Sequence, residues 1–513
     1  YVDAKEAISQ DTGTITNTIL NDITGELNFG FKHTESKYFD FGIQRAVPQK
    51  YSQQGPSIAT GDVNGDGLID FFVGGAAYQS GKIFIQNKTG GFISHDLVKG
   101  MKNEEDLGAV LFDSDGDNDL DLLITGGSPE FGIHSSFNQP RLYNNDGKGN
   151  FTLNADALPK QINDITKAVT VADYDGDGDI DIFIGGRLLP QKYPASPRSY
   201  ILQNDHGRFK DVTKDICPEL EFAGLLTGAE FIDFNNDKKP DLVICGEWMP
   251  VRFFANENGK FKEVTANTGL ENMNGQWRSL QAADLDNDGD MDFVAGNMGL
   301  NNKYHITPER PLKLYAGDFD ANNTVDLIPA YYIKNNEGQY DLFPALDRSQ
   351  LADQLPSVKK KYLLNIDYAK ANMKGLLDYI HAKDLVEKEC QTTTSVWIEN
   401  LGHGHFRQHV LPMEAQFSPV NVIIAGDLDG DGIKDLLLAG NEYQAEVVSG
   451  QYDASYGLFL KGNGKGAFNA VNAVKSGFII SGDVKSMVKL KRKNGNIILA
   501  AVNDAGIKGF GIK

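Results

Sequence analysis

Apolar residues in this chain come in short bursts rather than at helical spacing. The runs Phe71–Gly75 (FFVGG), Leu122–Gly127 (LLITGG), Ile182–Gly186 (IFIGG) and Leu436–Gly440 (LLLAG) have strand length and end in glycine. Each follows a polar stretch of nine residues with the pattern Asp-x-Asp/Asn-x-Asp/Asn-x-x-x-Asp. The pattern occurs seven times, beginning at Asp62, Asp113, Asp173, Asp233, Asp284, Asp318 and Asp427, and all copies but one lead into such an apolar run. An eroded eighth copy is expected around Asp483. Further along comes a second signature, an Asn/Gly turn followed by Phe, as in the stretches ending at Phe151, Phe209, Phe261 and Phe406. Glycine supplies the positive φ that a tight hairpin needs there. One unit therefore reads strand, acidic loop, strand, connection, strand, Asn/Gly turn, strand, which is a four-stranded antiparallel blade.

The first aspartates of successive copies are 51 residues apart (62 to 113), then 60, 60 and 51 (233 to 284), a blade-like period. The next interval, Asp284 to Asp318, is 34 residues and too short for a blade. The segment LKLYAGDFDANN stands where the other blades keep a third strand, so the Asp318 loop is expected inside the fifth blade. The fold class is then all-β, a seven-bladed β-propeller, with eight blades as the alternative. Blades are expected to begin near Ile58, Ala109, Ala168, Gly228, Ser279, Val422 and Phe478. Residues 1–50 form an N-terminal segment that completes the last blade and closes the ring. Residues 51–344 hold blades one to five, and 388–513 hold the rest of blade five with blades six and seven. Residues 345–387 break the pattern. Leu351, Leu355, Tyr362, Ile366, Ala369, Met373, Leu377 and Ile380 recur mostly at helical steps. They predict a small helical insertion against the ring, with Pro356 between two helices.

Composition adds a strong charge bias. The 513 residues carry a formal charge of −21, with 55 glycines. Such a chain repels nucleic acid and anionic membranes. No apolar run approaches the roughly 18 residues of a membrane span. No signal peptide is visible, and a chain beginning at Tyr1 leaves export open. Three cysteines allow one bridge at most, and Cys245, inside an apolar run, reads as a buried thiol.

The acids sit in the repeated loops, and their spacing suits calcium, a hard cation taking six to eight oxygens. Positions 1, 3 and 5 offer side-chain oxygens, position 7 a carbonyl and position 9 a closing carboxylate. The candidate ligands are Asp62, Asn64, Asp66, Leu68 and Asp70 in the first loop, and Asp113, Asp115, Asp117, Asp119 and Asp121 in the second. The third offers Asp173, Asp175, Asp177, Asp179 and Asp181, and the fourth Asp233, Asn235, Asp237, Lys239 and Asp241. The fifth offers Asp284, Asp286, Asp288, Asp290 and Asp292. The Asp318 loop has Asp318, Asp320, Asn322, Thr324 and Asp326, and the last Asp427, Asp429, Asp431, Ile433 and Asp435. The loops from Asp113, Asp173, Asp284 and Asp427 are richest in ligands, while those from Asp233 and Asp318 lack glycine. Five to seven bound ions are expected, and seven would bring −21 to about −7. An EF-hand is excluded, because its position 12 glutamate is replaced by Val73, Ile124, Ile184, Ile244, Ala295, Pro329 and Leu438.

Units such as GDVNGDGLIDFFVGG resemble the FG-GAP/VCBS repeats of integrin α-subunits and bacterial surface proteins. The run GNMGLNNKY…LYAGDFDANNTVDLIPAYY, with LPMEAQFSPV, is similar to bacterial VCBS proteins related to the ASPIC/UnbV group. The resemblance implies a calcium-stabilised propeller outside the cytoplasm, at the cell surface, outer membrane or periplasm. It does not name a ligand. If the acidic loops join strands one and two, loops after strand two gather on the opposite face. Arg187, Trp248, Trp277, Arg278, Asn297, Asn301, Glu442 and Tyr443 are then candidates for binding a glycan, peptide or partner protein. The competing reading is that each Trp fills a gap between blades and that Arg187 makes a structural ion pair. No catalytic triad, P-loop, zinc motif or free carboxylate pair is recognisable, so a non-catalytic binding module is expected. The alternative is a calcium-dependent, lyase-like enzyme acting on polysaccharides.

Overall fold

The computed structural model describes residues 18–335, 337–380 and 385–513, so the first part of the expected N-terminal segment lies outside the described residues. Among the described residues eight antiparallel sheets form, and seven of them stand around one axis. Their first strands are Ile58–Gly61, Asp106–Phe112, Ile165–Ala172, Leu225–Ile232, Ser279–Ala283, Val420–Gly426 and Val484–Arg492. Each meets the next, Val484–Arg492 meets Ile58–Gly61 again, and all seven line one central channel of about 280 Å3.

The repeated sequence signature explains the repeated sheet. The second strands, such as Asp121–Gly126 and Asp241–Met249, are buried along their whole length, covered on both faces by neighbouring sheets. That is why they read as unbroken apolar runs. Outer strands such as Phe92–Asp96 and Thr152–Leu153 are mostly exposed. The core is accordingly a series of layers between sheets. Val243, Cys245 and Phe253 of the fourth sheet, for example, pack on Phe293, Ala295 and Ile398 of the fifth. All three cysteines are buried free thiols.

The seventh sheet is completed from the other end of the chain. Leu20–Asp22 pairs antiparallel with Lys508–Ile512, Leu20 opposite Ile512 and Asp22 opposite Phe510. Leu20 is buried among Phe478, Ile498 and Phe510. This sheet begins at Val484, later than expected, and its first two strands join through a short turn between Arg492 and Gly495. Asp483 is therefore not the relic of an acidic loop. It precedes the first strand, at the opposite end from the loops, and its carboxylate pairs with Lys485 at 2.8 Å.

The fifth sheet also differs from expectation. Its third and fourth strands are Val396–Asn400 and Phe406–Val410. The segment around Asp318 does not supply its third strand. Leu312–Gly317, Asp326–Lys334, Tyr340–Pro344 and Val386–Cys390 build a separate four-stranded sheet, inserted between the second and third strands of the fifth. Short helices at Arg348–Gln354, Ser357–Lys361, Asn365–Tyr368 and Met373–Ile380 cover it, four rather than two, with Pro356 at the join of the first pair. They rest on this inserted sheet through Leu351, Leu355, Tyr368 and Leu376 against Tyr315, Ile328 and Ala330. Ile366, expected on the apolar face, is exposed, and Tyr368 takes its place.

Candidate metal loops and the opposite face

Each acidic loop joins the first and second strands of its sheet, so the six loops of the ring share one face. One backbone geometry is common to all seven loops. Positions 4 and 6 have positive φ in every copy, as at Gly65 (72°) and Gly67 (80°). Where glycine is missing the geometry persists: Asn236 (63°) and Lys238 (69°) hold it in the Asp233 loop, Ala321 (61°) and Asn323 (65°) in the Asp318 loop. Such residues pay a conformational cost that glycine avoids.

The curl turns backbone N–H groups onto the position 1 carboxylate. Asp62 accepts from Gly65 and Gly67 at 2.8 and 2.7 Å, and Asp173 from Gly176 and Gly178 at 2.7 and 3.1 Å. At position 5, Asp66 accepts from the Leu68 N–H at 2.9 Å. The position 9 carboxylate lies buried between two strands. Asp181 accepts from the Tyr174 N–H at 3.2 Å and the Asn204 N–H at 2.8 Å. Burial, then acidic neighbours, pushes Asp70, Asp326 and Asp435 up to about 6, and Asp181, Asp241 and Asp292 up to about 7.

Carboxylate oxygens converge in several loops. One oxygen from each of Asp113, Asp115 and Asp117 lies within 4.8 Å of the others, and the same holds for Asp173, Asp175 and Asp181, for Asp284, Asp286 and Asp292, and for Asp318, Asp320 and Asp326. In the Asp113 loop, Asp115 Oδ1 and Asp119 Oδ1 are buried without a hydrogen-bond partner. Burial and then the charges of Asp117, Asp121, Asp115 and Asp113 raise the Asp119 carboxyl to about 6. An all-oxygen set with orphaned buried acceptors fits a hard dication. The Asp427 loop, rich in acids by sequence, is different. The Lys461 ammonium sits on Asp429 and on Asp431, the latter at 2.9 Å, so a cation is already built in. Lys239 of the Asp233 loop points away, donating to Asn258 at 2.9 Å.

A set of residues outside the acidic pattern ties the loops together. Asn256 Nδ2 donates to Pro240 O of its own loop at 3.0 Å and to Tyr174 O of the preceding sheet's loop at 2.7 Å. Asn145, Asn204 and Asn400 repeat both bonds in the second, third and fifth sheets. These are asparagines of the Asn/Gly turn signature, whose role as a bridge was not read from the turn alone.

The residues expected to bind a ligand on the opposite face divide into groups. Trp277 is fully buried, its Nε1 donating to Met249 O at 3.0 Å. Asn297 is buried too, accepting from the N–H groups of Gln276 and Met298 at 3.1 and 2.8 Å. Arg187 lies in a buried network, 2.5 Å from Glu247 Oε1, while the Tyr51 and Tyr193 hydroxyls donate to Glu247 Oε2 at 2.8 and 3.2 Å. Burial opposes ionisation of Glu247, but Arg187 and Arg278 outweigh it and hold the carboxyl below its ordinary range. Asn301 is exposed and donates to Phe417 O at 3.2 Å, and Tyr443 is half-buried. Trp248, Arg278 and Glu442 do come together. With Val47, Tyr304 and Tyr452 they line a crevice that leaves about 70 Å3 for water-sized molecules. Beside it, the channel end opposite the loops carries Lys167, Arg278 and Lys485. Burial, then Arg187, Lys485 and Arg278, lowers the Lys167 ammonium to about 7.

The fold and loops together define a β-propeller with acidic, metal-competent turns. A family model described as FG-GAP-like repeat matches residues 62–124, 127–184 and 233–295, so the chain carries FG-GAP-like repeats in these stretches. These stretches contain the loops from Asp62, Asp113, Asp173, Asp233 and Asp284. No curated protein matches the chain. Among solved structures it is similar to the Vibrio cholerae biofilm matrix protein Bap1, at 14% identity over 94% of this chain and 90% of that one, TM-score 0.34. It is also similar to YCF48 bound to D1 peptide, at 8% identity over 94% and 98%, TM-score 0.39. A third is the Bacillus licheniformis rhamnogalacturonan lyase PL11, at 11% identity over 91% of each chain, TM-score 0.29.

Proposed function

We propose that this chain is a non-catalytic binding module of the cell surface or periplasm, stabilised by calcium in its acidic loops, which engages a ligand on the face opposite them. The observation that carries this reading is the division of charge along the channel. The strand ends bearing the loops are acidic, whereas the strand starts bring Lys167, Arg278 and Lys485 to the other mouth; Lys485 is paired with Asp483 and Glu442 and Arg278 lies 3.9 Å from Glu247, so among the described residues Lys167 is the one of the three outside an ion pair. On a chain of net charge −21, such a mouth favours an anionic group, as in an acidic glycan or an acidic peptide. Calcium supports placement outside the cytoplasm, where weak oxygen sites fill.

The test is an array of neutral and uronic-acid glycans and acidic peptides, probed in calcium with the wild type and with Lys167→Gln. Binding of an anionic class that falls at least about tenfold in Lys167→Gln is expected from loss of a charge contact. Binding that ignores this substitution refutes the assignment of the face. Release of unsaturated sugars from an acidic polysaccharide would overturn the non-catalytic reading.

A further inference from the structure

Away from the acidic loops, three buried residues from distant parts of the chain meet on the opposite side of the ring. His33 and Glu35 belong to the N-terminal segment, and Glu105 immediately precedes the first strand of the second sheet. The His33 and Glu105 residues are fully buried, and the Glu35 side chain is 4% exposed. One ligand atom from each lies within 4.8 Å of the other two. Each also carries a buried polar atom without any hydrogen-bond partner: His33 Nε2, Glu35 Oε2 and Glu105 Oε1. The opposite edges of the carboxylates are anchored, since Asn503 Nδ2 donates to Glu35 Oε1 at 2.5 Å and the Ala77 N–H to Glu105 Oε2 at 2.5 Å. Gly55 leaves room beside the free atoms. A Cβ there would stand 3.3 Å from Glu105 Oε1 and 3.4 Å from His33 Nε2.

We propose that His33, Glu35 and Glu105 form a site for one transition-metal dication of the zinc class, distinct from the calcium loops in place and chemistry. Three orphaned buried polar atoms on three adjacent side chains would each cost on the order of 1–3 kcal/mol if nothing met them. Two carboxylates and a neutral imidazole balance a dication's charge, and the nitrogen donor selects zinc-like ions over calcium. Donors around tetrahedral zinc lie about 3.3 Å apart, so a modest contraction of the cluster closes the shell, with water in the remaining position. A metal on Nε2 leaves the ring proton on Nδ1, which has Glu35 Oε1 at 3.7 Å; the long 3.4 Å approach of the Asp504 N–H to Nδ1 then gives way. Of the charges facing the cluster, Lys102 and Asp106 are paired with each other at 2.5 Å and Lys485 with Asp483 at 2.8 Å, while Glu130 and Asp504 add negative charge that favours a cation. The ion would clip the N-terminal segment to the second sheet, with Asn503 of the seventh sheet alongside, across the junction where the ring closes.

The experiment uses the full chain, stripped of metal and then saturated with calcium, so that the acidic loops and the reading built on them are held apart from this site. Cobalt(II) is titrated as the spectroscopic stand-in, and zinc is counted by mass spectrometry after desalting. One equivalent of cobalt, with a visible ligand-field band, and one retained zinc per chain are expected. In His33→Gln and Glu105→Gln the affinity should fall at least a hundredfold, and the band should vanish. Asp175→Asn, in an acidic loop, should leave both unchanged. Equal zinc retention in the wild type and His33→Gln overturns the proposal. If the variants fail to fold, the wild type decides. Anomalous density between the three side chains in a zinc-soaked crystal supports the site, and its absence there refutes it.

Discussion

Replacing Asn256 with alanine tests whether the bridging asparagines hold the acidic loops in place. Asn256 is buried, and its side chain makes three hydrogen bonds: to Tyr174 O at 2.7 Å, to Pro240 O at 3.0 Å, and from the Gly259 N–H at 2.8 Å. Alanine strands two carbonyls and one amide in a space too tight for easy repair. At roughly 1 kcal/mol for each lost bond, and more where the partner stays dry, the cost is about 3–4 kcal/mol. The loss falls on two loops at once, because Tyr174 belongs to the Asp173 loop and Pro240 to the Asp233 loop. The assay is equilibrium urea unfolding in calcium, together with calcium titration of the folded protein. The midpoint should drop by the equivalent of that free energy, with weaker calcium binding. A loss below about 1 kcal/mol with unaltered calcium binding would refute the bridging role.

Other substitutions probe the electrostatics separately. Lys461→Gln removes the cation from Asp429 and Asp431, so calcium stoichiometry measured by calorimetry should rise by one; an unchanged count would mean the ammonium does not stand in for a metal. Removing calcium with EGTA should lower the melting temperature and readdition restore it, since each site filled at a hundred times its Kd contributes about 2.7 kcal/mol. Glu230, half-buried, has its carboxyl raised from 4.5 to about 7 by burial, against a backbone hydrogen bond from Ala282. The folded state thus favours the protonated form, and ionisation costs stability progressively as pH rises from about 4.5 to about 7. Glu230→Gln should match the wild type near pH 4 and exceed it by roughly 1–2 kcal/mol at pH 8, as read by chemical unfolding at the two pH values.

Much of this architecture could be read from residue order alone, because repetition turns a weak signal into a strong one. One Asp/Gly-rich nonapeptide is only a turn. Copies at a blade-like period, each leading into a buried strand such as Asp121–Gly126, fix the loop, the strand and the direction of the side chains together. Local reading failed where one pattern serves two topologies. Leu312–Gly317 and Asp326–Lys334 carry the same loop between the same kind of strands, yet they pair with each other, and Leu312–Gly317 with Val386–Cys390 rather than with Asp292–Gly296. Pairing partners some 70 residues away in the chain leave no mark on a nine-residue motif. The helices show the same limit on a smaller scale. Apolar periodicity placed Ile366 inward, but the chain turns at Leu363–Leu364, and Tyr368 faces the sheet instead.

At the site, the loops' ligand types were legible and their occupants were not. Asp429 and Asp431 have the same spacing as Asp175 and Asp177, but Lys461, thirty residues later, meets them only because the third strand returns beside the loop. The aromatic and cationic residues of the opposite face were legible as types, while the burial of Arg187 was decided by the segment before the ring's first strand at Ile58. That segment supplies Tyr51 and Gln54 to Glu247 and Arg187, turning Arg187, a candidate ligand residue, into part of a closed network. The same segment brings His33 and Glu35 to Glu105. A stretch with no repeat signature thus both seals one candidate ligand site and creates another. The acidic repeats account for how each sheet turns, and the non-repeating N-terminal segment accounts for how the opposite face is finished.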